Sequence, residues 1–203
     1  MNEASPAPGR RAPQQRQAAV LDAARELFLD AGVARTSIEA IAKRAGVAKG
    51  TVFLYFPTKE HIVQAIETDF NARIVERTRA AAKDAGDGTA AVEAWCAQLV
   101  HAYLDDLDVH DMLFYSGAAA SREAVADNAL IDDLEALLVG LNIDEPAATA
   151  SFLLGGVTLL TDRAVLADGV PDKAELARTA RRFAASTVRG RSDVGPEPTE
   201  TRR

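Results

Sequence analysis

Apolar residues recur every three or four positions through most of the chain, which is the spacing of an amphipathic helix. Leu21, Ala24 and Phe28 illustrate this spacing, since they fall on one face of a predicted first helix that Gly32 ends. Valine, isoleucine and threonine never alternate with polar residues over the length of a strand. The pattern therefore predicts an all-α fold.

Glycine, proline and asparagine divide this pattern into separate helices. Thr36 and Glu39 are predicted to form a capping box at the start of the second helix, which Gly46 ends, and Pro57 ends the third. The predicted helices span residues 12–31, 36–45, 48–55, 58–84, 89–107, 110–117, 121–141, 145–167 and 172–188.

The stretch AGVAKGTVFLYF, residues 45–56, joins the second and third helices through a turn that is too short for antiparallel packing. Two short helices joined in this way cross steeply, as in a helix-turn-helix, whose second helix presents its outer face to the major groove of DNA. Helical spacing turns Val47, Val52 and Phe56 inward. The outward residues are Lys49, Thr51, Phe53 and Tyr55, with Leu54 at the edge.

The alternative is that Phe53, Leu54 and Tyr55 are core or interface residues of a plain helical bundle. Four adjacent large residues, however, cover more than half of a helix circumference and cannot all face one core. Aromatic and aliphatic groups suit thymine methyls and sugars, and a tyrosine hydroxyl suits a phosphate. We therefore favour DNA as the partner of this face.

Charge is divided unevenly along the chain, whose formal net charge is −7. Residues 1–60 carry nine basic and six acidic side chains, whereas residues 61–203 carry 14 basic and 24 acidic ones. A mildly basic N-terminal part joined to an acidic remainder indicates two separate tasks. The chain of 203 residues, 48% of them hydrophobic, is long enough for a packed core.

The single cysteine, Cys96, lies in the apolar stretch VEAWCAQLV, where we expect a buried and inert thiol. The first residues lack the apolar centre of a signal peptide, and the longest apolar stretch, ASFLLGGVTLLT, is shorter than a membrane span. These features favour a cytoplasmic protein with no membrane partner.

The segment TSIEAIAKRAGVAKGTVFLYFPTKEHIVQAI resembles the DNA-binding head of the tetracycline-repressor (TetR) family. The first-helix phrase VLDAARELFLDAGVART resembles it as well, and the likeness covers residues 14–74. The family implies an all-helical dimer that represses transcription from a palindromic operator and leaves it when a small-molecule effector binds. The alternatives are an activator or ligand-independent regulator on the same fold, or a helical interaction or metal-binding protein that binds no DNA.

Composition and the resemblance together divide the chain into four parts. They are a disordered arm (1–12), a helix-turn-helix DNA-binding domain (13–58), a ligand-binding and dimerisation domain (59–189) and a disordered tail (190–203).

By position, the resemblance implies phosphate contacts for two residues beside helix starts, Thr36 and Lys59. It implies a place at or near base edges for Lys49, Gly50, Thr51 and Tyr55. Phe53 stands where the family usually has tyrosine. Because Phe53 has no hydroxyl for a phosphate, Tyr55 is the candidate to supply that contact.

The last two predicted helices are expected to form the homodimer. Gly155 and Gly156 lie in the middle of a helix, where each glycine costs about 1 kcal/mol relative to alanine, and small residues allow a partner helix to approach closely. Leu176 and Phe183 lie on an apolar stripe that suits the same four-helix contact. The alternative is a close contact within one subunit.

The effector pocket is expected between the fourth helix and the helices from 89 to 167, with a mainly apolar lining. Asp162 is interpreted as either a surface residue or an anchor for a cationic or hydroxylated ligand, so we expect a hydrophobic effector that can carry a positive charge. The alternative is that most of these residues are core. The candidate lining residues are Phe70, Trp95, Leu99, Tyr103, Met112, Phe114, Tyr115, Thr158 and Asp162.

The stretch from His101 to Asp111 is rich in histidine and aspartate, with His101 and Asp105 one helical turn apart. Such residues can chelate a metal, but we interpret the stretch as a solvated acidic turn. We expect no metal and no cofactor. The sequence has no nucleophile elbow and no phosphate-binding glycine loop, so we expect no enzyme activity.

Overall fold

The computed structural model describes residues 12–114, 128–167 and 171–192. Throughout these residues the secondary structure is helical, without strands, and the predicted all-α class is confirmed. The helices are α1 (Pro13–Ala31), α2 (Ile38–Ala45), α3 (Lys49–Tyr55), α4 (Lys59–Asp84), α5 (Thr89–Asp105), α6 (Leu107–Phe114), α7 (Ala129–Gly140), α8 (Pro146–Leu166) and α9 (Lys173–Ser192).

Two compact units divide the described chain. The first unit comprises residues 12–69 and 108–114, and the second comprises residues 70–107, 128–167 and 171–192. In the first unit, α1, α2 and α3 pack against one another. The core of this unit includes the fully or almost fully buried side chains of Val20, Ala24, Phe28, Ile41, Val52, Phe56, Ile62 and Ile66.

The predicted start of α2 is wrong by two residues. The helix begins at Ile38, and its N-cap is Ser37, whose hydroxyl oxygen accepts a hydrogen bond of 3.1 Å from the amide of Ala40. The predicted capping box of Thr36 and Glu39 does not form, because the Thr36 hydroxyl is buried and faces the carbonyl oxygens of α1 and its following turn.

The turn between α2 and α3 is as tight as the sequence predicts. Gly46 adopts a left-handed conformation with φ of 68°, which glycine tolerates without the strain that a side chain would bring. The amide of Val47 donates to the carbonyl of Ala42 at 3.0 Å, which closes the end of α2. The chain therefore leaves α2 and enters α3 within three residues.

Helix α5 forms the centre of the second unit, where it packs against α7, α8 and α9. Its buried residues occur on all sides of the helix, which agrees with this central position. Burial raises the pKa of the Cys96 thiol to about 12, so the predicted inert thiol is confirmed as a buried one.

Two carboxylates join the helices of the second unit. Asp105, at the end of α5, accepts from Lys173 at 2.7 Å and from Arg77 at 2.5 Å. Asp133 on α7 accepts from the guanidinium of Arg79 and, at 2.9 Å, from the indole nitrogen of Trp95. These bonds tie α4 and α9 to α5, and α4 and α5 to α7.

Most of the other boundaries lie within four residues of the predicted ones, but α7 begins at Ala129 after the extended N-cap Asn128, so the predicted helix 121–141 does not run through residue 128. Helix α9 continues to Ser192, past the predicted end at residue 188 and into the predicted tail. The arm at 1–11, the segment 115–127 with the first part of the predicted helix 121–141, and the tail from 193 lie outside the described residues.

Candidate functional site

Helix α3 presents an apolar face outward, as its sequence predicts. Val52 and Phe56 are buried, whereas Phe53 is 44% exposed and Leu54 is 78% exposed. Tyr55 is half-buried, with its ring tilted against that of Phe56 at a centroid distance of 6.5 Å. Within the described residues nothing covers Phe53 and Leu54, and their exposure leaves a surface suited to an external partner.

Gly50 and Thr51 complete this outward face near the start of α3. A Cβ atom added at Gly50 would meet no atom within 4 Å, and the backbone of this glycine is ordinary helix. Packing among the described residues therefore does not require glycine here. The absence of a side chain instead leaves room for close approach by an outside molecule.

Lys49, the first residue of α3, is paired with α2. Its ammonium lies 2.6 Å from a carboxylate oxygen of Glu39, and both side chains remain largely exposed. The hydrogen bond and positive charge of Lys49 hold the pKa of the Glu39 carboxyl below its usual value. Lys49, which the sequence predicts at or near base edges, is thus held by the carboxylate of Glu39. This pairing was not predicted from the sequence.

The two predicted phosphate contacts, Thr36 and Lys59, point at the protein's own backbone. Thr36 is 5% exposed, and its hydroxyl lies 2.9 Å from the carbonyl oxygen of Gly32. The Lys59 ammonium donates to the carbonyl oxygens of Val33 and Thr36 at 2.7 and 3.2 Å, and to that of Ala34 at 3.3 Å. Both donors hold the loop after α1, and their phosphate contacts stay predictions.

The sequence did not single out one further exposed cation of the head, which is Lys43. Lys43 is exposed in the last turn of α2, and within the described residues its side chain has no hydrogen-bond or ion-pair partner. Arg44, the next residue, is instead paired with Glu26 at 2.5 Å. The sequence does not distinguish these two neighbours, because the partner of Arg44 lies 18 residues earlier on another helix.

Comparison with known proteins identifies the family to which this DNA-binding head is similar. Residues 20–66 match the family model described as "Bacterial regulatory proteins, tetR family". This head belongs to the TetR family. The likeness to the TetR family that the sequence suggested is confirmed over residues 20–66, from the middle of α1 to the early turns of α4.

One curated relative shares this TetR-family head. The "Fatty acid metabolism regulator protein" of Bacillus subtilis is 38% identical over 58 residues, which is 29% of this chain and 30% of that protein. The match thus spans less than a third of the relative's length.

Solved structures share the whole TetR-family fold. SmeT, the repressor of a Stenotrophomonas maltophilia multidrug efflux pump, is 22% identical with a TM-score of 0.64, covering 93% of this chain and 98% of SmeT. The regulator FadR of B. subtilis, in complex with stearoyl-CoA, is 20% identical with a TM-score of 0.67, covering 85% of this chain and 99% of FadR.

Several predicted effector residues of the second unit are buried, three of them on α5. Trp95, Leu99 and Tyr103 lie on successive turns of α5 and are at most 4% exposed, and Phe70 is equally buried. Tyr103 donates a hydrogen bond from its hydroxyl to the carboxylate of Asp162 on α8. Asp162 is thus half-buried and bonded, which differs from a free surface residue.

The remaining effector candidates are placed elsewhere. The Thr158 hydroxyl is half-buried and donates to the carbonyl of Leu154, one turn earlier, at 2.9 Å. Met112 is buried within the first unit, on α6. Phe114 ends α6, but its side chain lies outside the described part of the chain, as does the whole of Tyr115.

The outer face of α8 and α9 carries exposed apolar side chains. Phe152 and Phe183 are 71% and 64% exposed, and Gly155 and Gly156 are exposed as well, while Leu176 is half-buried. These helices enclose a groove of about 310 Å³. The groove is lined by Phe152, Leu153, Gly156, Val157, Leu159, Leu160, Arg163, Ala180 and Phe183.

Helix α8 also meets the length and composition of a membrane span. It has 21 residues, its most apolar window has a mean hydropathy of 1.2, and 33% of that window is buried. The apolar stretch ASFLLGGVTLLT is only a part of this helix. A core or interface helix of a soluble protein passes the same test, so this property alone does not assign α8 to a membrane.

Among residues 12–114, 128–167 and 171–192, no group of three or more His, Cys, Asp or Glu side chains is arranged to hold a metal ion. Asp105, which the sequence suggested as a possible ligand with His101, is bonded to Lys173 and Arg77. These two cations hold the pKa of the Asp105 carboxyl below its usual value.

Proposed function

We propose that the protein is a transcriptional repressor that binds a palindromic operator as a homodimer and releases it when a small molecule binds. The observation that carries the proposal is the outward face of α3, where Phe53 and Leu54 are exposed beside Lys49 and Thr51 directly after the Gly46 turn. Such a face suits the major groove, where apolar groups meet thymine methyls and lysine meets guanine.

The homodimer is proposed on the α8–α9 face. Its apolar groove and exposed phenylalanines would be costly to leave in water, and burying them against a second copy removes that cost. The glycines at positions 155 and 156 allow two α8 helices to approach closely. The two DNA-binding heads of such a dimer would meet successive major grooves about 34 Å apart.

The effector is proposed to bind in the second unit, near Tyr103 and Asp162, and to be mainly hydrophobic. An apolar ligand with one polar anchor is supported by the buried apolar residues Trp95 and Leu99 on the same helix as Tyr103, and by Asp162, which accepts a hydrogen bond from Tyr103. A helical relative of the same fold holds stearoyl-CoA, a ligand with a long apolar chain. We place the protein in the cytoplasm, where its operator would be.

Selection of bound genomic fragments tests the DNA-binding function. The purified chain should enrich a short palindrome, and its affinity should fall steeply with salt, because phosphate contacts release counterions. A reporter gene behind that palindrome then separates repression from activation. Binding to all duplexes alike, or to none, would contradict the proposal.

Trp95 offers a direct test of the effector region, because it is the only tryptophan and its indole is bonded to Asp133. Compounds that release the operator, beginning with long-chain acyl-CoAs, should change its fluorescence. Tyr103→Phe removes only the hydroxyl that reaches Asp162 and should shift the effector concentration needed for release. Unchanged emission with unchanged release in this variant would place the pocket elsewhere.

A further inference from the structure

The positive charge of α3 is already paired with a carboxylate of the protein itself. Helix α3 reads KGTVFLY, so Lys49 is its single charged residue. The Lys49 ammonium lies 2.6 Å from Glu39 Oε1, although the two residues are on different helices. Their side chains are 49% and 70% exposed, so the ion pair lies at the surface beside the outward face of α3.

Stability of the fold does not explain this pair. Exposed ion pairs contribute little to folding, because water and salt screen the charges and both long side chains lose freedom. A carboxylate at a DNA-binding face also repels phosphates, which weakens binding to every duplex. A group that lowers general affinity at such a face can be maintained when it improves discrimination between sequences.

The chemistry of the two side chains matches one base pair. In the major groove, guanine offers the acceptors O6 and N7, which lysine binds, and cytosine offers the N4 amino group, which a carboxylate accepts. Guanine O6 and cytosine N4 are neighbours across the same pair. An ammonium and a carboxylate in contact with each other therefore present a donor beside an acceptor, which matches the acceptor O6 of guanine beside the donor N4 of cytosine.

We propose that Glu39 is a specificity-determining residue that acts with Lys49 as one unit to read a G·C base pair, with Lys49 on guanine and Glu39 on the cytosine amino group. The inference rests on the proposed operator binding. Lys49 favours the ionised form of Glu39, so this carboxylate is an acceptor at neutral pH. Without Glu39, the freed lysine can turn to a phosphate, which carries no sequence information.

The test is selection of bound duplexes from a randomised pool by the full-length chain and its variants. The wild type should enrich G·C at one position of each half-site. Glu39→Ala and Lys49→Ala should both lose about tenfold of the preference at that same position, the discrimination that one good base contact provides. Glu39→Ala should also bind non-specific duplex more tightly at low salt.

Glu39→Gln keeps the size of the side chain, so it tests the role of the carboxylate even if Glu39→Ala impairs folding. Because an amide suits adenine, this variant should shift the preference from G·C towards A·T. The matched control is Glu26→Gln, which breaks the exposed pair of Glu26 with Arg44 on α2 and should select the same sequences as the wild type.

The outcomes separate this inference from the proposed function. If the wild type selects no sequence, the operator-binding proposal fails. If the wild type selects an operator but Glu39→Ala and Glu39→Gln retain the same base at every position, the role of Glu39 is refuted while operator binding stands. If Glu39→Ala and Lys49→Ala change different positions, the two residues do not act as a unit and the inference is likewise overturned.

Discussion

At the scale of single residues, Lys59 is predicted to contact a DNA phosphate, but its observed hydrogen bonds stabilise the protein's own backbone. Its ammonium donates to three carbonyl oxygens in the loop after α1. Lys59→Met keeps most of the aliphatic stem but removes these bonds. We expect the free energy of unfolding to fall by about 1–2 kcal/mol, since three acceptors lose their donor.

Urea unfolding followed by circular dichroism measures this change. Lys43→Met is the matched control, because Lys43 is exposed and has no bonded partner within the described residues. Its effect on stability should stay within about 0.5 kcal/mol. If both variants unfold at the wild-type urea concentration, the carbonyl bonds of Lys59 contribute nothing to the head.

The buried thiol of Cys96 gives a prediction with a defined pH dependence. Burial raises its pKa from the reference value of 9.0 to about 12, so the native thiol stays protonated at pH 8. Because the thiolate is the reactive form, native Cys96 should react with iodoacetamide about a thousandfold more slowly than an exposed thiol.

In the unfolded chain the thiol ionises from about pH 9, whereas the native thiol stays protonated up to about pH 12. The free energy of unfolding should therefore fall as the pH rises above 9. Alkylation in urea at pH 8 should therefore be fast, and alkylation without urea should be slow. Equal rates in both conditions would mean that Cys96 is accessible in the native protein.

At the scale of elements, the outer face of α8 tests whether its glycines serve a partner. A Cβ atom at Gly156 would meet nothing within 4 Å in one chain, so a side chain fits there. Gly156→Ala should favour the helix by about 1 kcal/mol within one chain. The same change, and Gly156→Leu more strongly, should weaken the dimer because the second helix can no longer approach as closely.

Light scattering over a dilution series measures the association, with circular dichroism to show that the helices persist. Gly140→Ala is the control, because a Cβ at Gly140, at the end of α7, also meets nothing within 4 Å and Gly140 does not line the groove. Association that is unchanged in Gly156→Leu would argue against this face as the interface.

The elements themselves were largely predictable from the sequence, whereas several side-chain partners were not. Val52 and Phe56 were recognisable as inward residues from helical spacing alone, and they are buried. The cap of α2 was misplaced because Thr36 and Ser37 are adjacent hydroxyl residues, and only packing decides which of them is buried. Spacing describes one helix at a time, so it identifies neither the Lys49–Glu39 pair nor the Trp95–Asp133 bond, each of which joins two helices.

At the scale of the whole molecule, the division of charge along the chain suits the proposed binding of DNA by the N-terminal part. Residues 1–60 have an excess of three basic side chains, and residues 61–203 have an excess of ten acidic ones. The acidic part repels phosphates and should limit non-specific binding away from the head. In the proposed dimer, affinity for an operator would come from two heads acting together, so that dimerisation would contribute to the free energy of binding.

A variant that cannot dimerise separates the contribution of one head from that of two. Phe183→Glu places a charge in the apolar groove between α8 and α9, where burial against a partner would be costly. It should bind a single half-site as the wild type does, because the head is unaltered. On the full palindrome it should lose the gain from linked binding, on the order of a hundredfold or more.

Val139→Glu is the matched control, because Val139 is exposed on α7 and lies outside the groove, and this variant should bind both duplexes like the wild type. A Phe183→Glu chain that is monomeric by light scattering yet binds the palindrome at full strength would show that one head is sufficient, and the two-head mechanism would have to be abandoned.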